Sequence, residues 1–168
     1  MTADIPQGSL ELLATPVANE LLASAIPAHV AYTARDRTPR IVSSWFQWVG
    51  GELVMPTYVQ APHIPPPGAR RLAALRARPD VAVSIDTGSE PPKVLLIRGK
   101  AEIVEVDGVD PDYARSAREY LGEDGARQLL DMVDQPGTRM ARITVRPTWV
   151  GLLDFAGGRL PGVMTTPD

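Results

Sequence analysis

The sequence predicts a mainly β fold with flanking helices, a closed or split barrel built on an antiparallel six-stranded core. Three observations carry this prediction. Six segments are rich in β-branched and aromatic residues or alternate apolar with polar residues. Short polar turns such as Asp36-Arg37-Thr38-Pro39 and Gly50-Gly51 join neighbouring segments as hairpins would. One long helix-periodic stretch, Asp110 to Val133, and two shorter ones interrupt the strands, and a barrel flanked by helices is the architecture that buries such a set.

The elements follow in chain order. Residues 1–27 form a helical segment, with Ser9 capping one turn and Thr15-Pro16 opening a helix that Pro27 ends. Strands are expected over 30–35, 40–48 and 52–57. The stretch Tyr58–Gly68 holds four prolines and reads as a surface loop, with the length of a lid. Arg70–Arg78 is a short helix with Leu72 and Leu75 on one face, and Val81, Val83 and Ile85 alternate along the next strand. Val94–Val106 is a long strand whose apolar phase flips at Val104, which predicts a bulge there. Asp110-Pro111 opens the main helix, with Tyr113, Ala117 and Tyr120 on its apolar stripe and a break between Gly122 and Gly125. The last strand covers 139–155, and residues 157–168 form a loosely ordered tail to this single domain.

Composition bounds the chemistry. The 168 residues are long enough to bury a core, and 44% hydrophobic with 22% charged residues is ordinary for a globular protein. With 17 basic against 20 acidic residues the net charge is −3, which speaks against a nucleic-acid partner but leaves room for a small anionic ligand. There is no cysteine, so disulfides, thiolate nucleophiles and zinc–thiolate sites are excluded and a cytoplasmic location is expected. No apolar run is long enough to span a bilayer, Met1-Thr2-Ala3-Asp4 lacks the start of a signal peptide, and no metal spacing is present.

The candidate anion site is basic. Arg40 starts the second strand and Arg70-Arg71 open the short helix, where free N–H groups and guanidinium groups together suit a phosphate. Thr57 ends the third strand and adds a hydroxyl. Trp45 and Trp48 have the planarity to wall a ring or its substrate, whereas Phe46 reads as core. His63, in the proline-rich loop, is a titratable proton donor near this site and a candidate substrate contact.

These residues also carry a resemblance. Arg40-Ile41-Val42-Ser43-Ser44-Trp45, Val54-Met55-Pro56-Thr57, Arg70-Arg71-Leu72 and Leu75 through Val83, in that order, resemble pyridoxamine 5'-phosphate oxidases and their flavin and deazaflavin oxidoreductase relatives. Ser44-Trp45-Phe46-x-Trp48, Arg98-Gly99-Lys100-Ala101-Glu102 and Pro147-Thr148-Trp149-Val150-Gly151 are similar to the deazaflavin-linked branch, and the likeness spans residues 25–155. It implies a split β-barrel homodimer that binds FMN, with coenzyme F420 as the alternative. The implied cofactor contacts are Arg40, Val42, Ser43, Ser44, Trp45, Pro56, Thr57, Arg70 and Arg71, with Trp48 and His63 toward the substrate. The implied activity is hydride transfer between the cofactor and a small unsaturated or carbonyl substrate. The alternative is a non-catalytic carrier of a flavin, haem or tetrapyrrole. Trp45 stands where true oxidases have a lysine, Arg71 replaces another, and no Arg-x-His closes the chain, so vitamin B6 oxidation is not implied.

Overall fold

The computed structural model describes residues 5–62 and 69–160. A 3-10 turn, Leu10–Ala14, leads into helix α1, Pro16–Leu22. The Ser9 hydroxyl accepts from the Glu11 N–H and the Thr15 hydroxyl from the Ala18 N–H, the two caps that the sequence predicts. The helix stops well before Pro27. Ser24 Oγ donates to the Leu21 carbonyl at 2.7 Å and accepts from the Ile26 N–H at 3.3 Å, which turns the chain early.

Seven strands follow: β1 Ala28–Thr33, β2 Pro39–Ser44, β3 Gln47–Val49, β4 Glu52–Gln60, β5 Asp80–Asp86, β6 Lys93–Asp107 and β7 Arg139–Asp154. Helix α2, Ala69–Ala77, lies between β4 and β5, and α3, Pro111–Val133, between β6 and β7. Every pairing is antiparallel, in the order β2-β1-β5-β6-β7-β4-β3. The sheet is a split barrel that hydrogen bonds do not close.

The six-strand expectation fails at one place, and the failure is informative. The predicted 40–48 strand is two strands: β2 pairs with β1, with Ser44 opposite Ala28, and β3 pairs with β4, with Gln47 opposite Val54. These are the two ends of the sheet order, so Trp45 and Phe46 carry the chain across the seam from one edge to the other. Phe46 is 2% exposed and plugs the core there, with Leu53, Leu72, Ile85 and Ile97 in the same cluster.

The expected bulge is also displaced. Val104 sits in unbroken register opposite Arg142 with its side chain outward. The register shifts instead between Arg98 and Gly99, which face Trp149 and Pro147 and leave Thr148 as the extra residue. Gly99 is required there, because a Cβ would lie 2.3 Å from the Arg146 carbonyl oxygen.

Helix α3 begins as predicted, with the Asp110 carboxylate accepting from the Asp112 N–H at 2.8 Å. Arg142 on β7 pairs with both Asp110 and Asp112, which are almost fully buried, and so pins the helix start to the sheet. Gly122, at φ 72° and ψ 174°, kinks the helix where a break is expected. Strand β4 takes in Tyr58 to Gln60, which the sequence places in the loop, and residues 63–68 of that expected loop, His63 among them, lie outside the described residues. At the other end residues 157–160 are not loose: Asp154 and Arg159 pair, and the Arg159 guanidinium donates to the Leu152 carbonyl at 3.2 Å. Residues 161–168 lie outside the described residues. No described helix is long and apolar enough to cross a membrane.

Candidate functional site

The seam opens into a cleft of about 270 Å³. Its floor is the end of β2 and the crossing, Ser43, Ser44 and Trp45, and one wall is Pro56 and Thr57 of β4. Arg71 enters from α2, while Tyr113 and Ser116 enter from α3. The two helices approach from different directions, α2 packing on β1 and β6 and α3 on β3 and β4.

Arg71 is the most unusual group in the cleft. Its Nε is buried without a hydrogen-bond partner, and no carboxylate pairs with it among the described residues. Burial pulls its pKa below the ordinary value, which the nearby Tyr32 only partly opposes. A desolvated, under-used guanidinium at the start of a helix is suited to an anionic oxygen group that completes its hydrogen bonds. A small adjoining pocket of about 10 Å³ shares Ser44 and Arg71 with the cleft and is bounded also by Val42 and Leu75.

Six predicted residues therefore meet in the cleft, Ser43, Ser44, Trp45, Pro56, Thr57 and Arg71, with Val42 just below. Others do not. Arg40 is tied to its own turn, its Nη2 donating to Asp36 Oδ2 at 2.8 Å and its Nη1 to the Pro39 carbonyl at 3.0 Å. Arg70 is exposed and does not line the cleft. Trp48 lies in a separate groove of about 350 Å³ beside Asn19, Gln47 and Glu119. Strand neighbourhood alone suggests that Arg40 joins Arg71, but the Asp36 carboxylate, four residues earlier, takes its charge locally.

The α3 contribution is missing from the sequence reading. Trp45 stacks on Tyr120 with centroids 5.2 Å apart at 18° and lies 6.3 Å from Tyr113. Tyr113 in turn shares a hydrogen bond with Tyr58, hydroxyl to hydroxyl, with the rings edge to face at 5.2 Å. Burial raises the pKa of Tyr58 and Tyr113, and pushes Tyr120 up to about 12. Ser116, 1% exposed, accepts at 3.2 Å from the Gln47 amide, which also donates to Glu119 at 2.6 Å. A serine one turn after Tyr113 on an otherwise apolar stripe is the signal that could have revealed this wall.

No family model matches the chain, and no curated protein does either. Solved structures do. An F420 reductase is 26% identical, covering 79% of this chain and 94% of its own, with a TM-score of 0.54. A putative pyridoxamine 5'-phosphate oxidase from Listeria innocua is 20% identical over 80% of this chain and 94% of its own, at 0.53. The chain has the split-barrel fold of pyridoxamine 5'-phosphate oxidase-like proteins. A conserved hypothetical protein from Mycobacterium tuberculosis superimposes on its whole length at 0.61 with 17% identity, covering 97% of its own chain, so the helical start and β7 also follow a shared fold. In this fold the cleft lies at the seam between the two edge strands, with Trp45 on the crossing.

Proposed function

We propose that the cleft holds a flavin-type cofactor, its phosphate against Arg71 and its ring toward Trp45 and α3, and that the chain is an oxidoreductase. The observation that carries this reading is the buried Nε of Arg71, without a partner among the described residues, in a cleft lined otherwise by hydroxyl-bearing side chains, Trp45 and Pro56. FMN is the expected cofactor, and likeness to a protein named as an F420 reductase supports coenzyme F420 beside it. When bound, such a cofactor supplies hydride chemistry to a small unsaturated or carbonyl substrate. The chain's part is to anchor the phosphate at Arg71, hold a ring against Trp45, and narrow the access of water between α2 and α3.

A homodimer is the form in which this site works. Ile41 on edge strand β2 and Val104 on the outer half of β6 are 67% and 54% exposed, apolar side chains that a second copy would cover.

The test is a titration of the chain with FMN and, separately, F420, followed by tryptophan quenching, beside an Arg71→Ala variant. We expect micromolar binding of one cofactor, weakened at least tenfold in the variant (about 1.4 kcal/mol). Binding of neither sinks the reading, and binding without turnover moves the chain to the carrier class.

A further inference from the structure

The α3 wall of the cleft carries hydroxyl hydrogens that meet no acceptor among the described residues. Gln47 Nε2 donates to Glu119 Oε2 at 2.6 Å, and a carboxylate oxygen only accepts, so the amide orientation is fixed. The same nitrogen must then donate to Ser116 Oγ at 3.2 Å. Ser116 is thereby an acceptor toward Gln47, and its own hydrogen meets no acceptor among the described residues although the side chain is 99% buried (1% exposed). The Tyr58–Tyr113 pair has the same property. Two hydroxyls share one hydrogen bond, so one hydrogen is left over, and when Tyr58 donates, the free hydrogen belongs to Tyr113. Tyr113 and Ser116 both line the cleft, one helical turn apart on α3.

We propose that Ser116 and Tyr113 form a two-donor site for a carbonyl oxygen of the ligand in the cleft, one that gains negative charge during the reaction. A carbonyl oxygen has two lone pairs, and donors already aimed at it stabilise developing charge without reorganisation. Two sources share this chemistry. One is a ring carbonyl of the cofactor, which becomes electron-rich when two electrons and one proton are added to the ring. The other is an enone substrate: hydride leaves the reduced cofactor, a C–H bond forms at the β carbon, the displaced π pair ends on oxygen as an enolate, and water returns the proton. Gln47 is the positioning residue, because it dictates which way the Ser116 hydroxyl turns. The Trp45–Tyr120 stack holds the ring-facing wall beside it.

This inference rests on the cofactor reading above, and its test separates the two. Wild type, Ser116→Ala and Tyr113→Phe are loaded with whichever of FMN or F420 binds, and thermal melts confirm that each variant folds. The midpoint potential of the bound cofactor is measured by equilibration with reference dyes, and reoxidation of the reduced form is followed with cyclohex-2-enone as the probe acceptor. A potential lowered by about 30 mV, a tenfold loss of preference for the reduced form, assigns the oxygen to the cofactor ring. An unchanged potential with roughly tenfold slower reoxidation assigns it to the substrate. Folded variants that bind the cofactor and move neither quantity overturn the site. Failure of the wild-type chain to bind either cofactor overturns the parent reading instead, and shows before any variant is made.

Discussion

Arg71 combines two roles that oppose each other. A guanidinium whose Nε is buried without a partner destabilises the free protein, and the same deprivation suits it to an anion. Replacing it with methionine keeps the stem packed over Leu75 and removes the buried charge. We expect Arg71→Met to raise the stability of the ligand-free protein by about 1 kcal/mol while losing cofactor affinity. Thermal melts without cofactor check this, and a lower melting temperature would sink it. At this scale the sequence was legible where a residue's role is set by its own strand or helix. Ser43, Ser44, Thr57 and Arg71 were placed by position within elements, and they meet in the cleft. Arg40 was misplaced because its partner, Asp36, comes from the adjoining turn, and a local ion pair outcompetes a distant site.

Among the elements, α3 decides the width of the cleft. Arg142 fixes its start by neutralising two carboxylates that would otherwise be buried without compensation, and Gln47 clamps its second turn through Ser116 and Glu119. Beyond the clamp, Gly122 takes a conformation open essentially only to glycine, and the helix changes direction. Gly122→Ala is expected to destabilise the protein by about 1–3 kcal/mol, measured by urea unfolding. An unchanged midpoint would mean that the helix tolerates running straight. The break itself was readable from two nearby glycines in a periodic stretch. That α3 walls the cleft was not, since Tyr113 and Tyr120 fit a core stripe equally well and nothing local says which neighbour a helix face meets. The bulge was misread for a related reason: the flip at Val104 reflects exposure, whereas the true shift depends on Thr148, an extra residue in the partner strand.

For the molecule as a whole, the strand count came out one short because the 40–48 run is continuous in chemistry and discontinuous in pairing. Periodicity registers side-chain faces. It is blind to which strand supplies the hydrogen bonds, and here the supplier changes between Ser44 and Gln47. The assembled form is the other whole-molecule expectation. Light scattering of the purified chain should give twice the monomer mass, and Ile41→Arg should shift it toward the monomer. A wild-type monomer at micromolar concentration would refute the dimer.

The crossing at Trp45 and Phe46 has a consequence for how such a protein can change. Adding or removing one residue inside a strand exchanges its buried and exposed faces unless a bulge absorbs the change, as at Thr148, so the sheet resists most such edits. At the crossing there is no ladder to disturb, and the two edges it links are held by other strands. A change in length there would alter the girth of the ring and the gape of the cleft while leaving every strand pair as it was. The crossing dipeptide is thus a place where length can change without moving a strand register, provided that Phe46 keeps its seat in the core.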